Sequence, residues 1–322
     1  LRAPFPDFFV PGAPRCGTTA LSSWLSEHPL ICFSKPKETF YFSTPTWRPG
    51  DETRWRQEYP RFFQHWKPEH QKVGEGTVSY LYDGEAQRRI LKIQPDARFI
   101  VMVRNPLEMV PSLHQRMLFL LEEDEPDFAR AWRLQERRSS GEQLPPLSTD
   151  PRLLLYAEAG CLGAQLEALL ARVPREHCHV IVFDDFRRDP ASAYRGVLHF
   201  LGLPDDGRKD FRPHQAGQHY RYRWLQRLMI RPPGITRTLR QERLQNADRK
   251  ASRRRNRQRP KPWSKRMYRR VRDWNRIAVP AAPLPTELRE ELCTRFSPDV
   301  ALLGELLGRN LSHWCAPPEG VE

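Results

Sequence analysis

The chain has 322 residues, 39% hydrophobic and 11% aromatic, enough for a real core in one large α/β domain or two small ones. Its formal net charge of +14 is concentrated: residues 249–272 hold thirteen Lys/Arg and no Asp/Glu, so the rest of the chain is close to neutral. No apolar run reaches the roughly 18 residues of a membrane-spanning helix, and the six cysteines have no metal-like spacing, which argues against a spanning protein and a zinc site.

In chain order, Phe8, Phe9 and Val10 predict a short buried strand, followed by a turn holding Gly12 and Gly17 and then a helix through Glu27. The turn is almost the phosphate loop G-x-x-x-x-G-K-[ST], but Thr18 stands where that motif has lysine, and the nearest cation is Arg15. A strand–turn–helix of this kind aims backbone N–H groups at a phosphate. Without the lysine that reaches the β- and γ-phosphates, a nucleoside triphosphate is disfavoured. Leu30 to Phe33 predicts a second strand, and Ser34 to Ser43 sets Lys35, Lys37 and Glu38 against Phe40, Tyr41 and Phe42. Residues 47–66 read as irregular or helical structure over the site.

Val73 to Tyr82 predicts a strand, Gly84 to Ile93 a helix and Ala97 to Val103 the clearest buried parallel strand. Arg104 follows at once, then a helix carrying Ser112. Asp127 to Arg138 reads as helical, Leu153 to Arg172 as one long amphipathic helix, His179 to Phe183 as a strand and Pro190 to Leu201 as a helix. Strands alternating with helices argue for a parallel sheet covered on both faces. Beyond Pro204 the periodicity fails. The basic, Trp/Tyr-studded stretch of residues 215–282 reads as an irregular insertion, followed by a helical pair, Thr286 to Phe296 and Pro298 to Leu307.

Three of these pieces together resemble one family. The loop Gly12-Ala13-Pro14-Arg15-Cys16-Gly17-Thr18-Thr19 is similar to the 5′-phosphosulfate loop of sulfotransferases that use 3′-phosphoadenosine 5′-phosphosulfate (PAPS). Arg104 with Ser112 eight residues later resembles that family's 3′-phosphate site. Lys37-Glu38 before Phe40-Tyr41-Phe42 is similar to the corresponding segment of the heparan-sulfate-type branch and its bacterial relatives, as is the C-terminal Leu-Leu-Gly-Arg-Asn-Leu-Ser-His-Trp. The resemblance implies a P-loop-like α/β fold, a single domain over residues 1–322 with a core at 6–203, a basic insertion or lid near 215–282 and C-terminal helices at 284–314. It implies PAPS as sulfuryl donor, no metal, and a hydroxyl-bearing acceptor, a glycan or other anionic substrate, with nucleic acid not an expected partner. Arg15, Cys16, Gly17, Thr18, Thr19, Ala20, Arg104 and Ser112 are the implied donor-binding residues. Glu38, as general base, with Arg15 and Lys37 are the implied catalytic ones. One departure is Gly76, which stands after Glu75 where polysaccharide enzymes often carry a lysine, so a second cation at the sulfuryl group is in question.

The chemistry agrees with these residue types. Sulfuryl transfer, like phosphoryl transfer, needs an in-line nucleophile, a base and stabilisation of charge on the leaving group. Arg104 at a strand's C-terminal end fits the rule for ligands of open α/β sheets, and its planar fork suits a dianion. Other readings stand beside this one. Glu38 would also serve as a salt-bridge partner of Lys35 or Lys37, and His114 is an alternative base. The 249–272 run reads as a solvated segment, an anion-binding lid or a nucleic-acid site. Two rival functions are a P-loop kinase or ATPase and a non-catalytic polyanion binder. Reduced thiols point to the cytoplasm, with the Golgi lumen the alternative if an N-terminal anchor has been trimmed. Cys293 and Cys315 are the pair to test for a disulfide.

Overall fold

Five short strands build the central parallel sheet. The computed structural model describes residues 5–43, 47, 50–212, 218–230, 262–278 and 284–316. The first half contains β1 (Phe8–Phe9), α1 (Thr18–Glu27), β2 (Ile31–Phe33), α2 (Asp51–Glu58), β3 (Lys72–Glu75), α3 (Gly84–Ile93), β4 (Arg98–Val103) and α4 (Pro106–Leu120). Next come α5 (Phe128–Arg133), α6 (Gln135–Ser139), α7 (Tyr156–Ala159), α8 (Leu162–Leu170), β5 (Cys178–Val182), α9 (Phe183–Arg188) and α10 (Pro190–Leu201). The remainder contains β6 (Gln218–Tyr220), α11 (Arg223–Ile230), α12 (Pro262–Asn275), β7 (Arg276–Ala278) and α13 (Thr286–Leu307). These elements fall into two compact units.

The first unit comprises Leu1–Val110, Ala157–His214 and Leu284–Glu322. It holds an all-parallel sheet in the order β2-β3-β1-β4-β5, flanked by helices, as the strand–helix alternation predicts. Phe99 to Val103 are fully buried, the expected state of a parallel strand covered on both faces. β1 lies in the centre, so the loop after it opens between the C-terminal ends of β3 and β4. Packing in this region is tight. Phe8 seats its ring over Gly74 of the neighbouring strand, where an added Cβ would lie 2.2 Å from the ring. Gly74→Ala should destabilise the fold by about 1–3 kcal/mol through overpacking, read as a lower denaturation midpoint with unchanged denaturant slope.

Three predicted elements differ. The strand over Val73–Tyr82 ends at Glu75 and continues as a 3₁₀ turn, Val78–Leu81, because Glu75 turns its carboxylate into a buried set of hydroxyls. The long helix over Leu153–Arg172 is broken, and α8 restarts at Leu162. There Asp299 of α13 accepts the amides of Gly163 (2.8 Å) and Ala164 (2.9 Å), which would otherwise lack partners at a helix start. Conversely, the C-terminal pair is one helix. Leu288, Leu292, Phe296, Val300 and Leu303 form a single buried stripe that runs straight through Pro298. Cys293 and Cys315 are free thiols, with the Cys293 thiol donating to the Cys315 carbonyl at 3.4 Å.

The second unit comprises Pro111–Tyr156 and Gln215–Pro283. Its buried polar centre is the Glu123–Arg138 ion pair, bidentate at 2.7 Å and joined by the Tyr156 hydroxyl at 2.8 Å. His114 is 2% exposed and bonded to the Glu125 carbonyl at 2.8 Å. Burial lowers its pKa, and Phe128 and Tyr156 enclose its ring, so it is a packed core histidine. The stretch expected to be irregular contains two helices and a two-stranded antiparallel sheet, β6 with β7. Residues 249–261 of the basic run lie outside the described residues, and the rest of the run is in α12.

Candidate functional site

The site in the first unit collects at the C-terminal ends of the parallel strands. The loop after β1 is drawn onto β4. Gly12 bridges to Met102, and a Cβ there would lie 3.0 Å from the Met102 carbonyl. Gly17 sits at φ +89° immediately before α1, a conformation that a side chain would strain. Arg15 is also left-handed, at φ 70°, although it has a Cβ. The start of α1 has no side-chain cap and no acidic residue in its first turn. It therefore presents amides and the positive end of the helix dipole. Thr18 is buried, Thr19 exposed and Ala20 half-buried.

Cys16 contributes differently from its neighbours. Its side chain is fully buried, and burial raises the thiol to about 12 against the opposing pull of Arg104 and Arg15. The thiol therefore stays protonated and points inward, leaving only its backbone to face the loop's concavity.

The segment after β2 is pinned from several sides. Ser34 Oγ donates to the Lys37 carbonyl at 2.8 Å, and the Gly76 amide donates to the same carbonyl at 3.1 Å. Thr77 Oγ1 accepts the amides of Thr39 (3.0 Å) and Phe40 (3.1 Å). Thr77 in turn donates to Glu75, which also accepts from the Tyr59 hydroxyl (2.5 Å) and the Tyr80 hydroxyl (3.3 Å). Glu75 is fully buried. Burial raises its carboxyl above the ordinary range despite these donors. Between the unfolded and folded pKa values the native state then binds more protons, so Glu75's contribution to stability is full at low pH and falls as pH rises. The unfolding free energy of wild type relative to Glu75→Gln should accordingly decline with increasing pH, measured by denaturant titration across the acidic range. A pH-independent difference would contradict the raised pKa.

This pinning aims Lys37 back at the first loop. Lys37 Nζ lies 2.9 Å from Glu38 Oε1 and 3.3 Å from Thr18 Oγ1. Its stem crosses Gly76, where an added Cβ would lie 2.9 Å from Lys37 Cγ. Gly76 thus leaves the space the Lys37 side chain occupies. Glu38 keeps 30% of its side chain exposed, and Phe40, at φ 51°, is 39% exposed beside it.

Arg104, directly after β4, donates to the Arg15 carbonyl at 3.0 Å, pairs with Glu108 at 2.7 Å and lies over the Phe183 ring at 4.5 Å. Ser112, half-buried in α4, belongs to the second unit. The structure thus joins Thr18, Lys37 and Glu38 in one chain of contacts and Arg15 with Arg104 in another. Glu75 and Gly76 enter the sequence analysis only as the place of a missing lysine, whereas the structure gives Glu75 a buried hydrogen-bonding role and Gly76 the space for Lys37. Phe183, beneath Arg104, has no such signal in the sequence.

Comparison with known proteins bears on the fold and the family. The pattern describing the Sulfotransferase family matches residues 79–207, from the turn after β3 past α10. The membrane-associated sulfotransferase kil1 of Dictyostelium discoideum is 33% identical over 104 residues, 32% of this chain and 21% of that protein. Mouse bifunctional heparan sulfate N-deacetylase/N-sulfotransferase 4 is 27% identical over 209 residues, 62% of this chain and 22% of that protein. The chain thus aligns with only about a fifth of the length of these curated relatives. A crystal structure of a sulfotransferase from Alicyclobacillus acidocaldarius superposes with a TM-score of 0.66 at 26% identity, covering 98% of this chain and 100% of that one. The parallel sheet, the family pattern over residues 79–207 and this full-length structural match converge on the sulfotransferase family.

Proposed function

We propose that this chain transfers a sulfuryl group from PAPS to a hydroxyl or amine of an acceptor, a glycan being the first class to test. The observation that carries the proposal is the Lys37 bridge, which ties the Thr18 hydroxyl of the first loop to the Glu38 carboxylate. It brings an anion cradle, a cation and a base within one side chain's reach. The donor supplies an activated sulfur whose bond to a 5′-phosphate oxygen breaks as the acceptor attacks.

The chain's own groups fit that donor. The uncapped, acid-free start of α1 suits the 5′-phosphate, with the Gly17, Thr18 and Thr19 amides and the Cys16 backbone around it; Ala20 packs beside them, its amide donating to the Gly17 carbonyl at 3.0 Å. Arg15 adds charge where the leaving oxygen becomes negative. Arg104 is assigned to the 3′-phosphate. Glu38 accepts the acceptor's proton. Lys37 holds Glu38 in place and adds the second cation that Gly76 does not provide. The glycan acceptor is favoured by the heparan sulfate enzyme among the relatives, and exposed Phe40 next to Glu38 offers a face for a sugar ring.

The direct test is calorimetric titration of adenosine 3′,5′-bisphosphate without metal, followed by transfer of labelled sulfate from PAPS to desulfated glycans and to small hydroxyl and amine acceptors. Absence of nucleotide binding, with ATP–Mg²⁺ bound instead, would overturn the proposal. Gly76→Ala supplies a finer check. Its Cβ would push the Lys37 stem aside, so transfer should fall about tenfold, the loss of one charge-assisted contact, while the thermal midpoint changes little.

A further inference from the structure

The second unit carries an exposed apolar surface to which the proposed sulfuryl transfer assigns no residue. Among the described residues six large hydrophobic side chains are strongly exposed, and five of them lie on or beside α11 and α12. They are Tyr222 (47%), Trp224 (67%), Leu228 (51%), Met267 (55%) and Trp274 (54%). Single exposed apolar residues are ordinary, whereas a cluster marks an interaction surface. Tyr222 and Trp274 stack at 5.5 Å, and Trp224 lies 6.5 Å from Tyr222. Trp224 and Leu228 are one helical turn apart, and Met267, Arg270 and Trp274 follow one stripe of α12.

The platform is rigidly mounted. Asn275, with no exposure, accepts the Tyr222 amide at 3.0 Å through its side chain and the Arg221 amide at 2.8 Å through its carbonyl. It also donates to Gln226 at 3.3 Å, and Gln226, 2% exposed, is anchored on the Phe119 carbonyl at 2.8 Å. The inward faces of both helices are thus fixed by buried amides, which holds the aromatic rings outward.

Charge narrows the partner. Arg221, Arg223, Arg227 and Arg270 are exposed on or beside the same two helices, and Arg221 lies 5.8 Å from the Trp274 ring centre. The single acid in α11 and α12 is Asp273, which pairs with Arg272 at 2.9 Å. An anionic partner fits. Rings and arginines alone would suit a polyanionic sugar or a nucleic acid, but Leu228 and Met267 gain nothing from either. Aliphatic side chains beside Trp, Tyr and Arg match the hydrocarbon boundary of a bilayer. We propose that this face docks peripherally on a membrane surface containing anionic lipid.

The test is flotation of the full chain with vesicles of phosphatidylcholine alone and of phosphatidylcholine with one quarter phosphatidylserine. Wild type should float with the anionic vesicles, and less as salt rises. Trp224→Ala combined with Trp274→Ala should weaken binding by about tenfold or more through lost apolar burial. Arg223→Gln combined with Arg227→Gln should weaken it and flatten the salt dependence. Leu228→Ser, a single exposed change, keeps the apolar arm readable if the double tryptophan variant does not fold. No flotation with either vesicle overturns the proposal. So does equal flotation of wild type and the apolar variants, which would reduce the contact to charge alone. Binding to heparin or single-stranded DNA with no vesicle binding would assign the face to a soluble polyanion instead.

Discussion

Glu38→Gln should lower sulfuryl transfer by about 10²- to 10⁴-fold, the usual contribution of a positioned general base, while leaving adenosine 3′,5′-bisphosphate binding within a few-fold of wild type. The variant keeps size and shape and removes only the charge and the ability to take a proton. Glu38 is suited to the task because it is held yet reachable: Lys37 Nζ sits 2.9 Å away, and 30% of the side chain is open. Thr77 fixes the backbone immediately after it through the Thr39 and Phe40 amides. The competing account makes Glu38 only a partner for Lys37, and a partly exposed ion pair contributes about 0–1 kcal/mol. Steady-state rates and nucleotide titration on the same variant separate the two. Full activity in Glu38→Gln would leave the ion pair as its whole role.

Arg104→Ala should weaken adenosine 3′,5′-bisphosphate binding by about 10- to 150-fold, the loss of roughly 1.5–3 kcal/mol from hydrogen bonds to a charged group. Two effects combine. The guanidinium fork assigned to the 3′-phosphate disappears, and so does the 3.0 Å bond that holds the Arg15 carbonyl while Arg15 sits at φ 70°. Arg104→Lys should recover little, since a point charge replaces neither the fork nor the stacking on Phe183. Glu108 competes for the same guanidinium at 2.7 Å. Glu108→Gln should therefore tighten nucleotide binding severalfold, by calorimetry at low salt. An Arg104→Ala variant that binds like wild type would remove Arg104 from the nucleotide site and leave it as a strut for the loop.

Much of the architecture follows from local pattern. Phe99 to Val103 is an unbroken apolar run that needs cover on both faces, and such runs alternating with amphipathic helices allow little besides a parallel sheet. Gly12 and Gly17, spaced around a strand–helix turn, announce the loop because a close backbone approach and a positive φ each require glycine. The family resemblance was legible for the same reason: it rests on short motifs whose spacing survives without tertiary information.

Other features were beyond that pattern because they depend on residues distant in sequence. Asp299 decides where α8 begins, and no signal near residue 162 reports it. The stripe from Leu288 to Leu303 carries α13 through Pro298 because tertiary burial outweighs the local penalty of proline. His114, plausible as a base by type alone, is enclosed by Phe128 and Tyr156 from elsewhere in the chain. Gly76 shows the contrast most clearly. In sequence it is the absence of a cation, whereas in the fold it is the room through which Lys37, from a different strand end, reaches Thr18. The sequence by itself determined the sheet, the loop and the family resemblance, because backbone periodicity and glycine sterics act over a few neighbouring residues. The tertiary structure alone decided which charges meet, because long side chains find their partners across strands, and only packing sets those distances.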